Sequence, residues 1–291
     1  MKFAVFTTGY KGYKFLEGLK KKPSFVVSYN NKERKDGLHY KKIIKWCNKN
    51  NITLYSKKEF SKIQDSIEMP DKILVIGWQY LIKQNLEKII VFHDSYLPER
   101  RGFAPTISAL IDNSEYLGAT CFKPEEFSEG PDCGKIYYRK KKQISYPITL
   151  QKAFDEVVKL YLEMTDIILE ENKKPKMIDY SNSTFSIWRD TEDSRIDWTS
   201  SSREIQQKIF SLGFPYTGAT SVYNDEIIHI LDAEIVDDIN FTSREKHFGK
   251  IWKIENNCPH ILCGKGMIKI IKALDIEDKE IIFNKIRKRL K

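Results

Sequence analysis

Short apolar runs alternate with segments of helical period along the first part of this chain. The predicted strands are Lys2–Thr8, Ser24–Ser28, Ile52–Tyr55, Lys72–Gly77 and Ile89–Phe92. Runs that are apolar at every position are typical of strands buried on both faces, and intervening helices join such strands in parallel. We therefore predict an α/β, Rossmann-like domain whose mostly parallel sheet carries helices on both faces. Ligands of such sheets bind at the carboxyl ends of the strands.

The pattern changes near residue 180. Lys173–Ser183 is polar and contains Pro175, so we interpret it as a linker between two domains. A helix at Arg203–Leu212 and several short strands separated by turn residues follow it. We predict a first domain over residues 1–180 and a smaller β-rich domain over residues 184–291. The basic segment Lys285–Lys291 is interpreted as a helix end or a frayed tail.

Composition narrows the functional classes. The chain has no run of 18 apolar residues, and Met1-Lys2-Phe3 leads directly into a strand, so we expect neither a membrane span nor a signal peptide. Five scattered cysteines fit a reducing cytoplasm better than a disulfide framework. The formal charge of +9 comes from dispersed lysines, which leaves a nucleic-acid partner open without favouring it.

The stretch from Ile89 to Gly134 carries the groups that suggest chemistry. Its strand ends at His93, and Asp132 stands between Gly130 and Gly134 in a turn. A histidine and a neighbouring carboxylate are the minimum parts for proton transfer. If the pair is considered in isolation, the alternative is that His93 only ends a strand and that Asp132 is an ordinary turn residue.

Two other patterns favour plain structural explanations. Gly9-x-x-Gly12 follows the first strand but lacks the full G-x-G-x-x-G spacing of a dinucleotide loop, so we predict a strand-to-helix turn. The segment from Cys258 to Cys263 has no second ligand pair after it, which favours core thiols over a zinc site. No metal is implied by either pattern.

Several blocks of the Ile89–Gly134 stretch occur in a specific order. They are His93-x-Ser95-x-Leu97-Pro98, Arg101-Gly102, Ala104-Pro105, Gly118, and Glu129-Gly130-Pro131-Asp132-Cys133-Gly134-Lys135-Ile136. In order and spacing they resemble the formyltransferase family that uses 10-formyltetrahydrofolate. Ile196-Asp-Trp198 and Pro215–Ala219 resemble the entrance to the OB-like C-terminal β-barrel of that family. The family includes methionyl-tRNA formyltransferases, sugar-nucleotide N-formyltransferases and formyltetrahydrofolate hydrolases.

The resemblance implies an enzyme that transfers a formyl group from 10-formyltetrahydrofolate to an amine, without a metal. It implies that His93 moves the proton, that Asp132 orients the imidazole, and that Ser95 assists. The expected folate-binding residues are Ile76, Gly77, Trp78, Gln79, Tyr80, Leu81, Lys123, Glu129 and Gly130. The expected acceptor-binding residues are Tyr10, Lys11, Arg101, Gly102, Phe103, Trp188 and Arg189.

Two departures from the family pattern affect this site. The family usually places an asparagine two residues before the histidine, where this chain has Val91. Loss of one oxyanion donor costs about 10²–10³ in rate, so we expect Ser95 or a backbone N–H to replace it. The connection between Gly118 and Asp132 is also longer than usual.

Four hypotheses differ in what accepts the formyl group. Transfer RNA enzymes of the family carry a basic insertion after the second strand, whereas Tyr29–Asp36 offers only Lys32, Arg34 and Lys35. That shortness favours a small acceptor, and we expect the amine of a nucleotide-linked amino sugar used in surface glycan synthesis. Methionyl-tRNA formylation, formyltetrahydrofolate hydrolysis and a binding protein without turnover are the alternatives. A homodimer is left open.

Overall fold

The computed structural model describes residues 1–29, 37–79, 82, 85–125, 130–171 and 173–291. The contacts divide the chain into two compact units. The first unit consists of Met1–Thr106, Tyr116–Gln143 and Ala153–Ile187, and the second of Ile107–Glu115, Ile144–Lys152 and Trp188–Lys291. The domain boundary expected at residues 180–184 stays a prediction.

Strands and helices alternate through the first part of the chain. Up to Ile187 the elements are β1 (Phe3–Thr7), α1 (Gly9–Gly18), β2 (Phe25–Ser28), α2 (Gly37–Asn50), β3 (Thr53–Ser56), α3 (Lys57–Ile63), β4 (Lys72–Ile76), a 3₁₀ turn (Leu86–Lys88), β5 (Ile89–His93), β6 (Arg101–Gly102), α4 (Pro105–Ile111), β7 (Tyr116–Pro124), β8 (Gly134–Gln143), α5 (Leu150–Glu170) and β9 (Phe185–Ser186). Seven strands form one sheet in the order β3-β2-β1-β4-β5-β7-β8. β1 to β5 pair in parallel, and β7 and β8 are antiparallel to their neighbours. The predicted α/β fold with a mostly parallel sheet is confirmed.

The carboxyl ends of the central strands lie at one edge of this sheet. Thr7 of β1 pairs with Ile76 of β4, which pairs with Phe92 of β5. All of β1 and most of β4 and β5 are buried, as their continuous apolar sequences predicted. The residues that follow these strands, including His93, therefore meet at the edge where ligands of such sheets bind.

α1 begins at Gly9, so residues 9–12, predicted as a strand-to-helix turn, form its first turn of helix. α3 begins at Lys57, because Ser56 and Glu59 form a capping box that fixes the start of the helix. None of the helices in the described ranges combines the length and apolarity needed to cross a bilayer.

The second unit contains a five-stranded antiparallel sheet. After Ile187 the elements are α6 (Ser202–Leu212), β10 (Ala219–Tyr223), β11 (Glu226–Val236), a 3₁₀ turn (Arg244–Lys246), β12 (Ile251–Glu255), β13 (Cys258–Leu262) and β14 (Met267–Leu274). The five strands are arranged in the order β10-β11-β14-β13-β12. The predicted β-rich domain is confirmed. β13 was not predicted, because Pro259 and His260 interrupt the apolar pattern of its sequence.

The segment from Lys288 to Lys291 pairs with both outer strands of this sheet. Lys291 and Val222 of β10 exchange backbone hydrogen bonds of 2.8 and 3.0 Å. Ile251 of β12 donates its N–H to the Lys288 carbonyl at 3.0 Å. The interpretation of this segment as a helix end or frayed tail is wrong, because its backbone covers edges that would otherwise expose unpaired groups.

Candidate active site

His93 ends β5 at the carboxyl edge of the parallel sheet. The residue is 5% exposed. Its ring nitrogen Nε2 lies 3.0 Å from the backbone carbonyl oxygen of Arg100. Because a carbonyl can only accept, Nε2 carries a proton, and a neutral imidazole then presents its lone pair at Nδ1. The fold thus selects the tautomer in which Nδ1 can take up a proton.

Asp132 faces that nitrogen from the turn before β8. Its Oδ2 lies 3.6 Å from His93 Nδ1 and accepts a 2.9 Å hydrogen bond from the backbone N–H of Gly102. Asp132 has a φ of +50°, in the left-handed region that aspartate tolerates better than most residues. A carboxylate at this position stabilises a proton taken up at Nδ1. The structure therefore brings the two predicted catalytic side chains together.

Consecutive backbone N–H groups hold the segment that contains Gly102. Arg100 donates to Thr184 Oγ1 at 2.8 Å, and Arg101 donates to the Thr184 carbonyl at 2.9 Å. Phe103 donates to the Ser186 carbonyl at 2.9 Å, so that β6 and β9 form a short parallel ladder. We call residues 180–186 the clamp. Its sequence Tyr-Ser-Asn-Ser-Thr-Phe-Ser has no apolar alternation, and part of it lies in the segment interpreted as a linker.

The clamp also encloses the Arg101 side chain. Arg101 is 2% exposed, and its guanidinium lies between the rings of Tyr180 and Phe185, 5.1 and 4.9 Å from their centroids. Its Nε donates to the Pro131 carbonyl at 2.8 Å, and its Nη1 donates to Ser183 Oγ at 3.1 Å. This burial does not support the acceptor contact predicted for Arg101. The contacts instead make it a residue that positions the turn of Asp132.

We expect Arg101→Lys to lower kcat by about 10²-fold, because a small displacement of catalytic groups costs about that much. Lysine lacks the planar fork that donates to Pro131 while stacking between two rings. Steady-state kinetics with a matched Arg195→Lys variant would measure the effect, since Arg195 forms a surface ion pair with a 45% exposed side chain. An unchanged kcat in Arg101→Lys would contradict the positioning role.

Gly118 of β7 lies directly against the backbone that follows His93. A Cβ atom at Gly118 would stand 2.1 Å from the Tyr96 nitrogen and 2.6 Å from the Ser95 carbonyl carbon. Such distances cannot occur, so any side chain here must displace the Ser95–Tyr96 backbone. The glycine of the family-like motif is therefore required for space.

Gly118→Ala is expected to lower the free energy of unfolding by about 1–3 kcal/mol, as overpacked sites do. It should also reduce kcat, because the displaced backbone carries His93. Urea unfolding and kinetics should be compared with Gly213→Ala, where the new Cβ would stand 3.4 Å from its nearest neighbour and φ is ordinary. Equal stabilities of the two variants would contradict the steric explanation.

Lys11 of α1 and Asp94, the residue after His93, form a mostly buried ion pair. Lys11 Nζ lies 2.7 Å from Asp94 Oδ1, and the two side chains are 17% and 10% exposed. Thr106 donates its hydroxyl to Asp94 Oδ2 at 2.6 Å. The neighbouring Tyr10 is buried and donates its hydroxyl to Asp155 at 2.7 Å. These internal contacts do not support the acceptor contacts predicted for Tyr10 and Lys11.

The expected replacement for the missing asparagine is not Ser95. Ser95 is 4% exposed, and its hydroxyl donates its one proton to the Glu99 carbonyl at 2.5 Å. It closes the turn after His93, so the catalytic role predicted for it has no support in these contacts. Val91 packs against apolar clusters around Phe6 and around Leu97.

Gly77 and Trp78, two of the residues expected to bind the folate, follow β4 at the carboxyl edge of the sheet. Gly77 has a φ of +63°, and Trp78 packs 5.6 Å from Phe6 and 5.0 Å from Tyr29, measured between ring centroids. This aromatic wall and the glycine backbone beside it suit a flat, hydrogen-bonding pterin. Ile76 is fully buried and offers only its backbone. Of the other expected residues, Gln79, Lys123 and Gly130 are described, and Tyr80, Leu81 and Glu129 lie outside the described residues.

The remaining expected acceptor residues differ in exposure. Phe103 is 59% exposed beside Gly102, and Trp188, in the second unit, is 57% exposed. Arg189 donates from Nη2 to Ser108 Oγ at 2.9 Å. Burial lowers the pKa of Arg189, although Asp193 and Asp112 oppose the shift. Their contacts with an acceptor stay predictions.

Comparison with known proteins shows what this chain is similar to. Residues 189–285 match the family profile described as formyl transferase, C-terminal domain. A methionyl-tRNA formyltransferase of Rickettsia massiliae is 27% identical over 220 residues, which cover 73% of this chain and 68% of that protein. These similarities support a formyltransferase family for this chain. The comparisons thus indicate a formyl-transferring enzyme, in agreement with the resemblance of the motifs around His93 and Asp132.

Solved structures show that the fold of this chain is shared. HypX from Aquifex aeolicus, crystallised with tetrahydrofolic acid, superposes with a TM-score of 0.67 at 13% identity. The match covers 97% of this chain and 45% of HypX, so the chain spans less than half of that protein. An N-formyltransferase from Helicobacter canadensis, crystallised with folinic acid and dTDP-3-aminofucose, gives a TM-score of 0.62 at 16% identity, covering 93% and 98% of the two chains.

Cys258 and Cys263 of the second unit are not part of a metal-binding group of described side chains. Within the described ranges, no group of three or more His, Cys, Asp or Glu side chains could hold a metal ion. Cys258 and Cys263 are free thiols, and burial raises the pKa of Cys263 to about 12. A thiol with that pKa stays protonated at neutral pH, which fits a core residue.

Proposed function

We propose that this protein transfers the formyl group of 10-formyltetrahydrofolate to the amine of a nucleotide-linked amino sugar. The His93–Asp132 pair carries the proposal, because its geometry leaves Nδ1 of the imidazole free to take a proton beside a carboxylate. The short segment Tyr29–Asp36 supports a small acceptor. A cytoplasmic location fits the use of a soluble folate donor, and a homodimer stays open.

The proposed chemistry follows from the positions of the side chains. The acceptor nitrogen forms a bond to the formyl carbon, the bond from that carbon to N10 of the folate breaks, and the amine loses a proton. His93 takes this proton at Nδ1 while its Nε2–H stays on the Arg100 carbonyl. Asp132, held by the Gly102 N–H, stabilises the imidazolium. The imidazolium then supplies positive charge to the formyl oxygen and returns the proton to N10.

Methionyl-tRNA is the second candidate acceptor. The R. massiliae relative carries the name methionyl-tRNA formyltransferase and covers 73% of this chain. The basic residues expected to distinguish the two acceptors, Lys32, Arg34 and Lys35, lie outside the described residues. The choice therefore rests on the length of that segment, and an experiment must test it.

The test supplies 10-formyltetrahydrofolate together with dTDP-, UDP- and GDP-linked amino sugars, or with charged initiator tRNA. Release of tetrahydrofolate that requires a nucleotide-linked amino sugar is the expected result. Release that requires the tRNA would move the assignment to the second candidate. Release without any acceptor would identify a hydrolase, and binding of the folate without release would identify a binding protein.

A further inference from the structure

We propose that Lys11 neutralises Asp94 so that His93 remains available as a base, which makes Lys11 and Asp94 positioning residues that set the working pH range. The inference rests on His93 being the base of the proposed reaction. It concerns residues that only contact the catalytic pair, because neither Lys11 nor Asp94 is needed to form a bond to the acceptor.

One carboxylate faces the His93 ring, and a second belongs to the next residue and interacts electrostatically with His93. Asp132 Oδ2 is 3.6 Å from Nδ1, and Asp94 follows His93 directly in the chain. Each negative charge favours the protonated imidazole, and a base that is already protonated cannot accept a proton from the amine. A histidine with two uncompensated carboxylates would therefore lose activity over part of the neutral pH range.

Lys11 cancels one of these charges. Its ammonium lies 2.7 Å from Asp94 Oδ1 and 4.7 Å from the centroid of the Phe154 ring. Thr106 Oγ1 donates to the other carboxylate oxygen at 2.6 Å. Both carboxylate oxygens of Asp94 therefore have partners, and Lys11 neutralises its charge. The Asp132 carboxylate, in contrast, acts on the imidazole.

The other neighbours of His93 do not supply this compensation. From α5, the Tyr161 hydroxyl lies 3.5 Å from Asp94 Oδ1, and burial followed by the Asp94 charge raises the pKa of Tyr161 well above its ordinary value. It is therefore neutral. Arg100 presents its carbonyl to the ring, and its guanidinium lies 3.8 Å from Glu99. Lys11 is the cation paired with Asp94 among the described ion pairs.

Asp94 keeps its charge well below neutral pH. Burial alone raises the pKa of its carboxyl, but the Lys11 and His93 charges and the hydrogen bonds from Lys11 and Thr106 outweigh it and lower the pKa from 3.8 to about 2. The pair therefore stays ionised at neutral pH. Removal of either member changes the net charge beside His93 by one unit.

The test measures kcat/KM against pH for the wild type and four variants. Lys11→Met should move the acid limb of the kcat/KM profile to higher pH by about one unit, because the uncompensated Asp94 charge then favours the imidazolium form of His93. Asp94→Asn should move the acid limb to lower pH by a similar amount, because the positive charge of Lys11 then has no counter-charge. The double variant Lys11→Met/Asp94→Asn and the charge-preserving Lys11→Arg should return it to the wild-type position. Damage to packing alone would lower the rate without opposite shifts.

A titration of the His93 ring by NMR gives the same comparison without activity, with the signal assigned by its loss in His93→Gln. If Lys11→Met does not fold, Asp94→Asn alone still tests the sign, since the asparagine amide has nearly the same shape: its oxygen can accept from Lys11, and its NH2 group can donate to the Thr106 hydroxyl. Absent shifts, or shifts of one sign in both single variants, would overturn the proposal. Opposite shifts in a protein that transfers no formyl group would support the pair and reject the proposed function instead.

Discussion

Replacement of His93 by glutamine, or of Asp132 by asparagine, is expected to lower kcat for formyl transfer by about 10²- to 10⁴-fold. Glutamine cannot accept the proton that Nδ1 takes from the amine. Asparagine keeps the hydrogen-bonding shape of Asp132 and tolerates its φ of +50°, but it has no charge to stabilise the imidazolium. Single-turnover measurement of tetrahydrofolate release would separate this loss from weaker binding.

Asp225→Asn is the matched control for Asp132→Asn. Asp225 also has a positive φ, +64°, and it forms a surface ion pair 3.6 Å from Lys291 with a 91% exposed side chain. We expect this variant to keep the wild-type rate. Turnover near the wild-type value in His93→Gln or Asp132→Asn would remove the catalytic pair from the mechanism, provided that both variants show native unfolding curves.

Lys11→Met is expected to lower the free energy of unfolding by about 3–5 kcal/mol, because it leaves the buried Asp94 carboxylate without its counter-charge. Asp94 has a folded pKa of about 2, below its ordinary 3.8, so its contribution to stability is complete above about pH 4. That contribution is lost as the pH falls towards 2. The stability difference between wild type and variant should therefore be large at pH 7 and shrink over this acid range in urea titrations.

Lys14→Met on the same helix provides the control. Lys14 pairs with Glu17 at 2.8 Å, but both side chains are 37% exposed, and such surface pairs contribute about 0–1 kcal/mol. The double variant Lys11→Met/Asp94→Asn should recover much of the lost stability, since no uncompensated charge remains. Equal destabilisation by Lys11→Met and Lys14→Met would contradict the claim that burial makes the loss of the Asp94 counter-charge costly.

The parts of the fold that follow local rules could be predicted from the sequence. Apolar runs identified the parallel strands, and the end of β5 together with a glycine-rich turn identified His93 and Asp132. These features depend on residues close together in the chain. The rule for parallel sheets places His93 at the carboxyl edge, whereas its meeting with Asp132, in the turn between the antiparallel strands β7 and β8, was implied only by the resemblance.

The supports of the site could not be predicted in the same way. Arg101 lies in a motif that suggested contact with the acceptor, yet its partners Tyr180 and Phe185 come from a distant polar segment. Lys11 and Asp94 are likewise far apart in sequence, and a charged residue beside a strand end gives no sign of burial. Pairings of this kind are fixed by tertiary contacts, which one sequence does not reveal.

The clamp makes assembly of the catalytic pair observable in the protein without substrate. The amide hydrogens of Arg101 and Phe103 are bonded to clamp carbonyls, and the neighbouring Gly102 amide holds Asp132 itself. Exchange of these hydrogens with solvent requires the ladder between β6 and β9 to open, and opening also releases the carboxylate from its place. Their protection factors would therefore report what fraction of molecules holds a competent site at any moment.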